Sequence, residues 1–110
     1  MTRADSDRML RQVIGGDAAA TANVIDRARS SDEPLLLVTA ALVDPAAPDL
    51  LARATVSATT TRDRQVVAIA AAHLAGDGDR VDALARDHLV DYPDSILVAW
   101  IAAAGPPAPA

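Results

Sequence analysis

His73 and His88 are the only imidazoles in the 110-residue sequence, and Asp77, Asp79, Asp87 and Asp91 stand close to them along the chain. Imidazole nitrogen and carboxylate oxygen are the ligands from which helical bundles build zinc and di-metal sites, so these residues define one chemical alternative: a small metal-binding or enzymatic helical bundle using His73 and His88. The spacing speaks against it. No Glu-x-x-His pair is present, and Gly76 is expected to end a helix between His73 and Asp77. We therefore expect no metal and no cofactor, with both histidines at the edge of a core, hydrogen-bonded to backbone or carboxylate.

The other chemical patterns fail on their own terms. Asp77-Gly78-Asp79-Arg80-Val81-Asp82 places its glycine too early for a calcium loop, so the acids read as helix caps and partners of the helix dipole. Lys and Cys are absent, which removes two common nucleophiles, and the sequence contains neither a phosphate-binding glycine loop nor a nucleophile elbow. The expectation is a protein that is not an enzyme and has no catalytic residues.

Charge narrows the partners. Ten arginines against fifteen acids leave a net charge of −5. Polyanions gain most of their non-specific affinity from basic side chains, so nucleic acid and anionic membrane are not expected partners. Ala54-Thr55-Val56-Ser57-Ala58-Thr59 resembles the turn of a helix-turn-helix repressor, which keeps a DNA-associated regulator as a third reading. Only Arg53, Arg62 and Arg64 lie nearby, and the Ser and Thr side chains read more simply as the end of one helix and the cap of the next. The N-terminus is too charged for a secretory signal, and the longest stretch that is apolar apart from one Thr, Leu35 to Val43, falls far short of the ~20 residues that span a bilayer. Without cysteine there is no disulfide, so a cytoplasmic location is expected. Arginine without lysine, together with abundant Ala, Asp and Val, resembles the usage of a GC-rich bacterial genome.

These residues must be positioned by helices. Hydrophobic residues make up 51% of the chain, yet there is one Trp, one Tyr and no Phe, so the core consists of Ala, Val, Leu and Ile. Alanine loses no side-chain entropy in a helix, and close approach of helices follows from small side chains. Glycine and proline divide the sequence into helix-length segments, predicted at 4–14, 18–30, 34–43, 49–58, 62–75, 79–91 and 95–104. Leu35-Leu36-Leu37-Val38 has the propensity of a buried strand, but no second strand exists to pair with it. Pro34, preceded by Ser31 and Asp32 as candidate caps, favours a helix. Asp82 and Arg86, four apart with the acid first, predict a surface ion pair. The fold class is therefore all-α: antiparallel helical hairpins forming a short solenoid or a compact bundle of six to seven helices over residues 1–104, followed by a disordered Pro/Ala tail at 105–110.

An internal repeat runs through this pattern. Ile14-Gly15-Gly16-Asp17 aligns with Leu74-Ala75-Gly76-Asp77 at an offset of 60 residues, and the same offset aligns Leu36-Leu37-Val38 with Ile96-Leu97-Val98. This is the signature of stacked helical units that cannot bury their faces alone.

Residues 59–103 resemble a unit of the tetratricopeptide repeat protein 38 family. The resemblance rests on Arg62-Asp63-Arg64, Ala68 to Leu74, Gly76-Asp77, Ala83 to Leu89 and Tyr92-Pro93-Asp94. Val66 stands where the family often has His, and His73 where it often has Trp. The resemblance implies a helical-repeat scaffold and supplies no catalytic residue; since family members are longer, it makes this chain a short relative or single-unit remnant.

The last helix, Ile96 to Ala104, is apolar around its circumference and must be covered on several sides. Two readings follow for Leu97, Trp100 and Ile101: an interface with another copy or a larger protein, or the core of this domain itself. The functional expectation is a non-enzymatic helical-repeat module for protein or peptide binding or self-association, including a homodimer.

Overall fold

Alanine-rich segments between glycine and proline corners fold as α1 (Arg3–Ile14), α2 (Ala18–Ala28), α3 (Pro34–Val43), α4 (Asp49–Ser57), α5 (Thr61–Leu74), α6 (Gly78–Asp91) and α7 (Ile96–Ala104). The computed structural model describes residues 3–44, 47 and 49–104, and no strand occurs among them. The expected Pro/Ala tail at 105–110 lies outside the described residues. Leu35-Leu36-Leu37-Val38 is helical, and the cap is neither Ser31 nor Asp32: the Glu33 carboxylate accepts from the N–H groups of Leu35 and Leu36, while Ser31 Oγ accepts from Glu33 N–H. Glu33 wins because it stands directly before Pro34, whose ring fixes the first helical φ and brings the next two N–H groups within its reach.

The two glycine corners are built alike. In the first, Gly15, Gly16 and Asp17 donate to the carbonyls of Arg11, Val13 and Gln12; in the second, Ala75, Gly76 and Asp77 donate to Ala71, His73 and Ala72, each sixty residues on. Gly16 has φ 85° and Gly76 φ 75°, a left-handed conformation that closes a helix C-terminus and strains any residue with a Cβ. The following aspartates cap the next helices, Asp17 accepting from Ala20 N–H at 3.0 Å and Asp77 from Arg80 N–H at 3.1 Å. Asp77 is thus a cap, and the residues after it are the first turn of α6.

The repeat extends to the packing. α1, α2 and α3 correspond to α5, α6 and α7 at the 60-residue offset, and buried Leu37 and Val38 match buried Leu97 and Val98. Between the halves α3 packs on α5 and α7 packs on α1, two contacts that interchange when the halves are exchanged. This is a pseudo-twofold arrangement. α4 has no counterpart and lies on α3 and α5. An open solenoid would keep its first and last helices apart; here α1 and α7 touch, and the molecule measures 32 × 31 × 27 Å. α3, with six consecutive buried residues from Leu36 to Ala41, is the helix most completely enclosed.

Candidate functional site

Three places in the second half of the chain combine polar side chains with a cavity or groove. The first is a buried hydrogen-bonded chain. α6 turns the His88 side chain inward until it is 1% exposed, and α5 sets Gln65 opposite it. His88 Nδ1 lies 2.7 Å from Gln65 Oε1 and Nε2 lies 3.0 Å from Ser95 Oγ. A side-chain carbonyl can only accept, so Nδ1 carries the proton and Nε2 accepts from the Ser95 hydroxyl. Burial lowers the His88 pKa, and the Arg62 guanidinium lowers it further, while Asp91 and Asp94 act in the opposite direction. The ring is held neutral. Tyr92 tilts against it at a centroid distance of 5.0 Å, Arg62 lies over the Tyr92 ring at 4.9 Å, and Arg62 also meets Asp94 at 3.3 Å.

A nucleophile, an imidazole and an orienting acceptor in this order have the connectivity of an acyl-transfer triad. Access decides otherwise. Ser95 is 6% exposed, and the space beside it measures about 10 Å³, room for about one water and for no acyl group. The chain of bonds instead ties α5, α6 and the start of α7 together.

The second place is a pocket of about 130 Å³ at the α5–α6 corner, lined by His73, Gly76, Gly78, Val81, Asp82, Ile101 and Ala102. Burial lowers the His73 pKa as well. The expected Asp82–Arg86 pair does not form: both side chains are exposed, Asp82 has no ion pair among the described residues, and solvated long side chains gain little from such contacts. His73 and His88 do not share a site. His73 meets the first turn of α6, whereas His88 follows Gly78 by ten residues, about 15 Å along the helix. They cannot ligate one ion, which removes the geometry behind the two-histidine bundle.

The third place is a groove of about 420 Å³ on the outer side of α5 and α6. Ala68, Ile69 and Leu84 form its apolar part, Thr61, Arg64 and Gln65 line it from α5, and Asp87 and His88 from α6. The two ionised walls carry opposite charge.

The last helix is accounted for by the closed ring. Leu97 and Ile101, 1% and 2% exposed, fill this chain's own core because α1, α5 and α6 cover the helix that a following repeat would cover in a solenoid. Of the three residues considered for an interface, Trp100 alone keeps partial exposure. Val56 and Val90, at 85% and 76%, are the most exposed large aliphatic side chains. As for the helix-turn-helix reading, Thr60 caps α5 at Asp63 N–H, and α5 is packed on α3, α4, α6 and α7 with Val66, Val67, Ile69, Ala70 and Ala72 buried. Much of the helix that such a reading would lay in a major groove is therefore turned into the core.

Gln65 and Ser95 were not singled out by sequence reasoning. A polar residue seven positions after His88, just beyond the Tyr92-Pro93 turn, was the one signal available. No group of three or more metal-ligating side chains gathers among the described residues, and no described helix is long and apolar enough to cross a membrane. Comparison with protein-family models, curated proteins and solved structures finds no match for this chain.

Proposed function

We propose that this chain is a helical module for protein binding and that its α5–α6 groove receives an amphipathic helix of another protein. The observation that supports this reading is the groove itself: half-buried Ala68 and Leu84 over the buried Ile69, flanked by Arg64 on one wall and Asp87 on the other. A helix laid into such a groove buries a row of apolar residues spaced three and four apart. Charge complementarity fixes its content and direction, with acidic side chains beside Arg64 and basic ones beside Asp87. The resemblance of residues 59–103 to a tetratricopeptide-type unit agrees with this class of function.

The test uses a synthetic helix carrying one leucine stripe, flanked by Glu on one side and Lys on the other, and a second peptide in which the flanking Glu and Lys are replaced by Gln. Saturable shifts at Ala68, Ile69 and Leu84, a preference for the charged peptide over the Gln-flanked one and loss of binding in Ala68→Glu with unchanged circular dichroism support the reading. Shifts elsewhere on the molecule, or equal weak binding of both peptides, overturn it.

A further inference from the structure

We propose that the pocket between the α5–α6 corner and α7 is a binding site for a small organic ammonium, a protonated amine on a compact aliphatic body. Its volume of about 130 Å³ compares with the ~150 Å³ of an apolar cavity that accepts benzene, so an aliphatic body of about four carbons fits. Val81, Ile101 and Ala102 supply the apolar walls. Asp82 supplies a carboxylate that no cation of the fold neutralises among the described residues.

The His73 ring makes no hydrogen bond among the described residues, and the equivalent corner forms without an imidazole. The equivalent position sixty residues earlier is Val13, a buried core residue in a corner with the same backbone hydrogen bonds. An aliphatic side chain satisfies packing there, so the corner's hydrogen bonds do not depend on an imidazole at 73. Desolvation keeps the ring neutral near pH 7, which leaves a nitrogen lone pair to accept from an ammonium N–H. A Cβ built on Gly76 or Gly78 meets nothing within 4 Å, so the backbone of the corner leaves the space open. With a net charge of −5 the chain draws cations toward the pocket and repels anions.

The experiment titrates the full chain with n-butylammonium, n-butanol and butyrate, following the amide signals of His73, Val81, Asp82 and Ala102 and the His73 ring. Saturable shifts confined to these residues are expected with butylammonium, with butanol about three- to tenfold weaker and butyrate silent. Asp82→Asn is expected to abolish the preference for the amine over the alcohol, and His73→Val, which installs the residue of the other corner, to weaken butylammonium to the level of butanol. Ala102→Leu, which adds bulk to an apolar wall of the pocket, is expected to weaken both the butylammonium and the butanol response. Equal affinity for butylammonium and butanol in the unaltered chain, an Asp82→Asn variant that still prefers the amine, or shifts outside the pocket would each overturn the proposal. None of these readouts involves the α5–α6 groove, so either reading can fail while the other stands.

Discussion

Ser95 holds its hydroxyl 3.0 Å from His88 Nε2, spanning the Tyr92-Pro93-Asp94 turn and fastening the entry of α7 to the last turn of α6. At the equivalent position in the first half stands Ala28, fully buried and apolar. One half solves the same packing position with a methyl group, the other with a hydrogen-bonded imidazole. The second solution carries a pH dependence that the first does not.

Stability is expected to fall as pH is lowered from the unfolded-state value of 6.5 toward the lower folded-state value of His88. In that interval the unfolded chain binds the extra proton and the folded chain resists it, so the unfolding free energy rises with pH and its full contribution is present above 6.5. Protonation would also give Nε2 a hydrogen where it now accepts one, and Ser95 would have to reverse its hydroxyl. Urea denaturation between pH 5 and 7.5, with NMR titration of each ring, checks this. His73 is shifted in the same direction and contributes its own slope. His88→Ala is expected to cost about 2–4 kcal/mol, because it opens a cavity and leaves Gln65 and Ser95 without their partner, and to flatten the pH profile. A His88 ring that titrates at or above 6.5 contradicts the account.

Arg62 acts on the same ring through space. It sits over Tyr92 and meets Asp94 at the surface, an ion pair of modest energy with a 73% exposed carboxylate. Arg62→Ala should cost less than about 1 kcal/mol from the two contacts. It should also raise the His88 pKa by removing a nearby positive charge, so the pH dependence shrinks. Asp94→Asn should lower the same pKa, and the opposite signs of the two variants, read by NMR, separate electrostatics from packing.

The two corners should respond alike to substitution. Gly16→Ala and Gly76→Ala each force a Cβ into a left-handed conformation and are expected to cost about 1–2 kcal/mol in thermal or urea melts. Gly78→Ala, in the first turn of α6 without a positive φ, should stay within about 0.5 kcal/mol. A large difference between Gly16→Ala and Gly76→Ala would separate corners that the backbone presents as equivalents.

Leu97 and Trp100 distinguish core from surface on α7. Leu97→Ala should cost about 2–4 kcal/mol whatever the protein concentration, since its contacts lie within one chain. Trp100→Ala should perturb less than Leu97→Ala per atom removed, because part of its ring already meets solvent. Melting midpoints measured over a hundredfold concentration range check both, and a midpoint for the unaltered chain that climbs with concentration would place α7 in an interface between copies.

Residue order alone set most of the local structure. Alanine content, the Gly-Asp corners and Pro34 define where helices start and stop, because caps, left-handed glycines and proline act through bonds that reach four residues or fewer. The 60-residue repeat was legible for the same reason: matching corners need matching residues. What the sequence left open was set by contacts between segments far apart in the chain. Whether α1 meets α7 depends on how three helices stack on three others, and that closure turns Leu97 and Ile101 into core residues of this chain. The partners of His88 illustrate the same division. Its inward position on α6 follows from helical periodicity, but the approach of Gln65 from α5 and of Ser95 from the head of α7 is fixed only once the hairpin has closed and α7 has folded back. A buried polar atom accepts whichever partner the packing brings within about 3 Å, and only the folded chain determines that distance.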